Sequence, residues 1–197
     1  MKKVISNDHD VIRVPVSLLS NENFLKLTSR PIDLLFALAH RKNTHRSVQE
    51  LADLLDMRVV NLYRERRRLK EAGFLQFNDG KVHVSFPLDS EITGYFYLPY
   101  FLVQERLSTE EWRLMLTLYR TAHEQRSATF KVRTSDLCAF SGINEKNVAR
   151  IRRELISKVR VRRGLAGKGL IWYSNKEYSL IHPVTQEGVD KVFELEV

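Results

Sequence analysis

Residues 61–69 read NLYRERRRL and residues 147–155 read NVARIRREL, and these two segments are copies of one another. At an offset of 86, Asn61, Arg64, Arg66, Arg67 and Leu69 recur as Asn147, Arg150, Arg152, Arg153 and Leu155, and Leu62 recurs as Val148. The copy extends upstream. Leu27-Thr28, followed by Ile32, Leu34, Leu35 and Leu38, matches Leu107-Ser108, followed by Trp112, Leu114, Met115 and Leu118, at an offset of 80. Further back, Val14-Pro15 and Leu98-Pro99 correspond at an offset of 84. Offsets that drift only at gap-like places point to two duplicated units of about 90 residues with loop insertions and deletions, not to a solenoid.

Each unit carries the signals of the same local structure. Thr28 and Ser108 are hydroxyl N-caps for a first helix, and Glu111 completes a capping box with Ser108. Ser47 and Glu50 form a second capping box ahead of Leu51-Ala52-Asp53-Leu54-Leu55. The chain then turns at Asp56-Met57 and starts the Arg-rich helix near Arg58. In the second unit, Leu137 to Ser141 turns at Gly142-Ile143 and restarts near Asn144. Gly142 supplies a left-handed backbone readily, whereas Asp56 tolerates it less well. Gly73 is a natural C-cap for the first Arg-rich helix. Beyond it, Asn78-Asp79-Gly80 marks a hairpin turn within residues 74–86, with Val82, Val84 and Phe86 alternating against polar residues. The second unit continues with a strand over Val159 to Val161, a glycine-rich basic tip over 162–169, a strand over Leu170 to Tyr173 and a third strand over Tyr178 to Ile181.

Helix, helix, tight turn, helix and hairpin is the order of a winged helix, and Leu51 to Phe74 resembles the winged helix-turn-helix family. The expected fold is α+β, mainly helical, with two tandem winged helix-turn-helix domains from an internal duplication. Residues 1–90 and 91–183 are the two domains, and 184–197 form an acidic C-terminal tail. Arg66 and Arg152 depart from the family, which usually has an aliphatic residue there; an inward-leaning arginine reaching a phosphate or an acid is one explanation. Tyr95 to Phe101 reads as a buried strand joining the domains or as a dimer interface, ahead of base stacking.

Charge follows the repeat. The chain has 197 residues, of which 32 are Lys or Arg and 24 Asp or Glu, a net charge of +8. Residues 58–70 hold six basic side chains and one acid, and residues 144–168 hold nine and two, so these short segments carry more than the whole excess. A focused basic surface of this kind suits a polyanionic partner. With Leu62 and Leu69 turned inward, Val60, Asn61, Tyr63, Arg64, Arg67 and Arg68 fall on the outer arc. With Val148 and Leu155 inward, Lys146, Asn147, Arg150 and Arg153 do. Arginine pairs with guanine and asparagine with adenine in a major groove, although phosphate contact is the commoner role of a single arginine. Asn61 and Asn147 also lie near helix starts, where local capping competes with base reading. Lys81 flanks the first hairpin, and Arg162, Arg163 and Lys168 crowd the second; basic, glycine-rich tips of this kind lie on a DNA backbone or in a minor groove.

Other chemistry is missing from the pattern. The single cysteine, Cys138, excludes an intrachain disulfide and a Cys-rich zinc module and sits at a small-residue helix position. Gly167-Lys168-Gly169 lacks the Ser or Thr of a phosphate-binding loop. His40 and His45 are too far apart to share a helix face, and no histidine pair accompanies Tyr95 or Tyr97 as a nicking enzyme would need. No enzyme activity, cofactor or metal is expected. No apolar run follows Met1-Lys2-Lys3, and the longest one, Tyr95 to Val103, is far short of a membrane span. A soluble, cytoplasmic protein with no membrane partner is expected.

The arrangement of the two units is similar to plasmid and phage replication initiators, whose units often open with a Val-Pro or Ile-Pro strand. That resemblance covers roughly residues 11–181 and implies sequence-specific binding of double-stranded DNA at repeated origin elements, with replication proteins or self-association as further partners. A transcriptional regulator on the same scaffold is the alternative. A structural winged-helix accessory protein that grips protein is the alternative from another class.

Overall fold

The computed structural model describes residues 11–40, 47–78, 81–86, 94–158 and 169–180. It is an α+β structure in which helices dominate and the sheets are small and antiparallel. The first half runs β1 (Val11–Pro15), a 3-10 turn over Val16–Ser20, α1 (Glu22–Leu25), α2 (Ser29–Ala39), α3 (Val48–Leu54), α4 (Val59–Glu71), β2 (Leu75–Asn78) and β3 (Lys81–Val84). The second runs β4 (Tyr95–Pro99), a 3-10 turn over Tyr100–Gln104, α5 (Thr109–Glu124), β5 (Thr129–Lys131), α6 (Thr134–Ser141), α7 (Glu145–Ser157), β6 (Ile171–Ser174) and β7 (Glu177–Leu180).

Local chemistry sets most of the boundaries. Both expected capping boxes form: Ser47 Oγ accepts from Glu50 N and Ser108 Oγ from Glu111 N, while each glutamate reaches back to the cap amide. Thr28 stands at the N-cap of α2, but its side chain makes no cap bond. Pro31 is the third residue of that helix and has no amide hydrogen to donate to it. Asp56 and Gly142 both take left-handed backbone, at φ 50° and 65°, so the tight turn is the same in both halves despite the aspartate. After α4, Gly73 N and Phe74 N donate to Lys70 O and Leu69 O, closing the helix with a glycine in left-handed backbone.

In the second half the expected strands near 170–173 and 178–181 are present as β6 and β7. They pair across Asn175 and Lys176, both at positive φ, which is the two-residue turn that matches strand twist. Among the described residues a further strand, residues 129–131, which the sequence signals do not mark, joins them, with β7 central in the order β5-β7-β6. The expected strand at 159–161, the tip at 162–168, the turn residues Asp79 and Gly80, and the acidic tail lie outside the described residues. Gly169 passes so close to α7 that a Cβ there would lie 2.0 Å from the Ile156 carbonyl oxygen, and Leu170 N donates to Leu155 O at 3.0 Å.

Of the aromatic block, Tyr95–Pro99 is a strand with Phe96, Leu98 and Pro99 buried and Tyr95 and Tyr97 half-buried, while Tyr100 and Phe101 lie in the 3-10 turn that follows. β4 pairs antiparallel with β1, with Val11 opposite Pro99, Arg13 opposite Tyr97 and Pro15 opposite Tyr95. At the sequence offset of 84, Arg13 and Tyr97 are counterparts, so the register is centred on equivalent positions and has local two-fold symmetry. The contacts around it exchange in the same way: α2 packs on the 3-10 turn at 100–104, and α5 on the turn at 16–20. α2 also meets α5, where buried Trp112 contacts the ring of Phe36 and donates from Nε1 to Asp33 Oδ1 at 2.7 Å. One apolar cluster therefore runs through both halves, from Ile12 and Leu34 to Leu116 and Ile151.

Candidate nucleic-acid interface

In α4, Leu62, Glu65 and Leu69 are buried, and this inward stripe fixes what faces out. Val60, Tyr63, Arg64, Arg67 and Arg68 are exposed, as the helical spacing predicts, and Asn61 is half-buried. The Arg67 side chain is 74% exposed and meets Glu71 Oε1 at 3.7 Å. Beneath the arginines lies Glu65, 2% exposed, which accepts from Arg68 at 3.0 Å and from Arg64 Nε at 3.4 Å. This buried carboxylate holds the guanidinium groups of two outward arginines. On the approach to the helix, Arg30 of α2 donates to the carbonyl oxygens of Leu55 and Asp56, at 3.4 and 3.3 Å, adding a cation beside the turn.

In α7, Val148, Ile151 and Leu155 are buried, and Lys146, Ala149, Arg150 and Arg153 are exposed. Asn144 is the N-cap and accepts from Lys146 N at 3.0 Å, while Arg58 holds the cap position of α4. Asn61 and Asn147 are thus the third residues of their helices and cap neither. Asn147 Nδ2 instead donates to Glu110 Oε1 at 3.1 Å, and Arg150 donates to Glu110 Oε2 at 2.5 Å and to Glu154 at 2.7 Å. Its hydrogen bonds to Glu154 and then to Glu110 push the Arg150 guanidinium still higher in basicity. Arg153 Nε donates to Ala149 O at 3.3 Å. At the offset of 80, Glu110 is the counterpart of Arg30. The same corner of the two halves therefore presents a cation beside α4 and a carboxylate bonded to α7.

Among the described residues Arg66 and Arg152 pair with no acid, and both are half-buried. Arg66 lies 5.3 Å from the centre of the Phe77 ring on β2, and Arg152 lies 3.9 Å from that of Tyr173 on β6 and donates to Tyr178 Oη at 3.5 Å. Both arginines tie the basic helix to the hairpin that follows through a cation–π contact. Burial pushes the Tyr178 phenol above its ordinary range. Lys70 Nζ covers Phe77 as well, at 5.2 Å. Lys81 opens β3, opposite Asn78. Arg162, Arg163 and Lys168 lie outside the described residues.

The sequence pattern brings together the outward residues of each helix but is blind to Arg30, Glu65 and Glu110. Glu111, which reads as a cap alone, also accepts from Lys158 Nζ at 2.8 Å, joining the end of α7 to the start of α5. Cys138 is half-buried against the core. Among the described residues no group of His, Cys, Asp and Glu is placed to hold a metal ion, and no helix is long and apolar enough to cross a membrane. In comparisons with known proteins, no family model, no curated protein and no solved structure matches the chain.

Proposed function

We propose that the chain is a sequence-specific double-stranded DNA-binding protein of two tandem winged-helix units, acting in the cytoplasm as a replication initiator at repeated origin elements. The observation that carries this reading is the outward face of α4, where Tyr63, Arg64, Arg67 and Arg68 are all exposed on one helix preceded by a tight turn and followed by a hairpin. A helix of this width fits a major groove, and its arginines suit both phosphates and guanine edges. The local two-fold symmetry at β1 and β4 supports two reading heads in one chain, which favours inverted half-sites within a single element.

A transcriptional regulator on the same scaffold is supported by the same two-fold relation. Several direct copies of the element at an origin mark an initiator, whereas one copy beside a promoter marks a regulator. The test is selection from a random duplex library at near-physiological salt. An enriched site of about two helical turns, roughly 20 base pairs, is expected. Retention with no enriched sequence, or none at all, contradicts the reading and leaves the protein-gripping accessory role.

A further inference from the structure

On the outer stripe of α4 two large apolar side chains stand among the arginines. Val60 is 78% exposed and Tyr63 is 55% exposed. They are three residues apart, so they lie one above the other on the helix face that also carries Arg64 and Arg67. Single exposed apolar residues are ordinary on a protein surface. This pair is different in placement: Val60 is the second residue of the helix, in the first turn, and β-branched valine is a poor choice for a solvent-facing helix site. Its counterpart in α7 at the offset of 86 is Lys146, and that of Tyr63 is Ala149. The large apolar pair is therefore peculiar to one of the two basic helices.

An isopropyl group neither donates nor accepts a hydrogen bond, so it gains nothing from a phosphate or from the polar edge of a base. In a major groove its one apolar partner is the 5-methyl group of thymine. The N-terminal residues of a groove-bound helix are those that come closest to base edges. Resting on the duplex-binding reading above, we propose that Val60, backed by Tyr63, is a specificity-determining residue that recognises thymine methyl groups in the α4 half-site. The α7 half-site, met by Lys146 and Ala149, is read without that methyl contact. The two halves of the DNA element then differ in composition although the protein units are duplicates.

The experiment replaces the thymines of the selected duplex with deoxyuridine, one position at a time, which removes the methyl group and keeps every hydrogen-bonding edge. Binding is measured by fluorescence anisotropy with the full chain, with Val60→Ala and with Lys146→Ala. Alanine favours helix more than valine does, so Val60→Ala keeps α4 folded. The expected result is about a fourfold loss of wild-type affinity at one or two thymines of one half-site, the value of one buried methyl-sized group. Val60→Ala binds the thymine duplex more weakly and no longer senses the substitution, whereas Lys146→Ala weakens binding but keeps the sensitivity. Insensitivity of the wild type to every deoxyuridine overturns the inference, as does full sensitivity retained in Val60→Ala. A selection that enriches no site overturns the duplex reading itself, a result distinct from either.

Discussion

The helices α4 and α7 share their spacing, an inward leucine and four of their outward or flanking arginine and asparagine positions, yet the charges around them are arranged differently. At α4 the acids come from the helix itself: buried Glu65 accepts from Arg64 and Arg68, exposed Glu71 meets Arg67, and Arg30 adds a cation at the preceding turn. At α7 the corresponding core position is Ile151, and the acids sit outside, where Glu110 and Glu154 hold Asn147 and Arg150. Arg64 and Arg68 each engage one guanidinium nitrogen with Glu65, whereas Arg150 gives both Nη groups to carboxylates. A carboxylate in front of a helix competes with any anion that approaches. Similar residue spacing thus does not mean similar electrostatics, and α4 is the stronger candidate for the first contact with DNA.

The largest expected effect breaks this comparison at its centre. Arg64→Ala with Arg67→Ala lowers affinity for the enriched duplex by about a hundredfold or more, at roughly 1–3 kcal/mol for each arginine that reads a base. Arg150→Ala with Arg153→Ala costs about tenfold less, because Arg150 must first leave Glu110 and Glu154. Titrations of the two double variants side by side check this, and equal losses would mean that Glu110 does not hold α7 back.

The second effect concerns the helices behind the basic ones. At the offset of 80, Asp33 of α2 is the counterpart of Arg113 of α5, which donates to the Leu25 carbonyl oxygen. Burial raises the Asp33 carboxyl from 3.8 to about 7, against the lowering effects of the Trp112 hydrogen bond and of Arg30 and Lys158. The folded state therefore holds this proton more tightly than the unfolded chain. The associated stability is fully present below about pH 4, falls as pH rises through the interval to about 7, and is gone above it. The size is on the order of 4 kcal/mol. Asp33→Asn keeps an acceptor for Trp112 and removes the proton, so the difference in unfolding free energy between wild type and variant changes across that pH window. A flat difference would place Asp33 outside this linkage.

The smallest effect sharpens the contrast instead of breaking it. Glu110→Gln keeps the hydrogen bond to Asn147 but removes the charge facing Arg150. It is expected to raise duplex affinity by about two- to fivefold at low salt, a surface-charge effect of up to ~1 kcal/mol that fades as salt rises. The same substitution leaves Val60-dependent reading untouched, because that contact belongs to α4.

Much of this architecture was legible from local signals. The serine–glutamate boxes, Gly73 and Gly142 fix helix ends through groups within a few residues of one another, and the helical spacing put Leu62, Leu69, Val148 and Leu155 inward. What was not legible is what distance in sequence hides. β5 has only three residues and exists because β7 pairs with it from about fifty residues away. The pairing of β1 with β4 likewise depends on a partner in the other half. The candidate interface divides along the same line. Which arginines point outward follows from the helix period, but which of them already holds a carboxylate depends on residues of another helix, such as Glu110, or on a buried one, such as Glu65. The destination of Arg66 and Arg152 on aromatic rings required the hairpins to be in place.

The central claim, specific duplex recognition through these helices, is tested most directly by titrating the enriched duplex and a scrambled one of the same length with wild type and with the Arg64→Ala, Arg150→Ala double variant, from about 50 to 200 mM salt. Wild type is expected to prefer the enriched duplex, with an affinity that falls steeply with salt at a log–log slope near −0.9 for each phosphate neutralised. The double variant is expected to lose both the preference and part of the slope. Unchanged affinity and an unchanged slope in the double variant would contradict the claim.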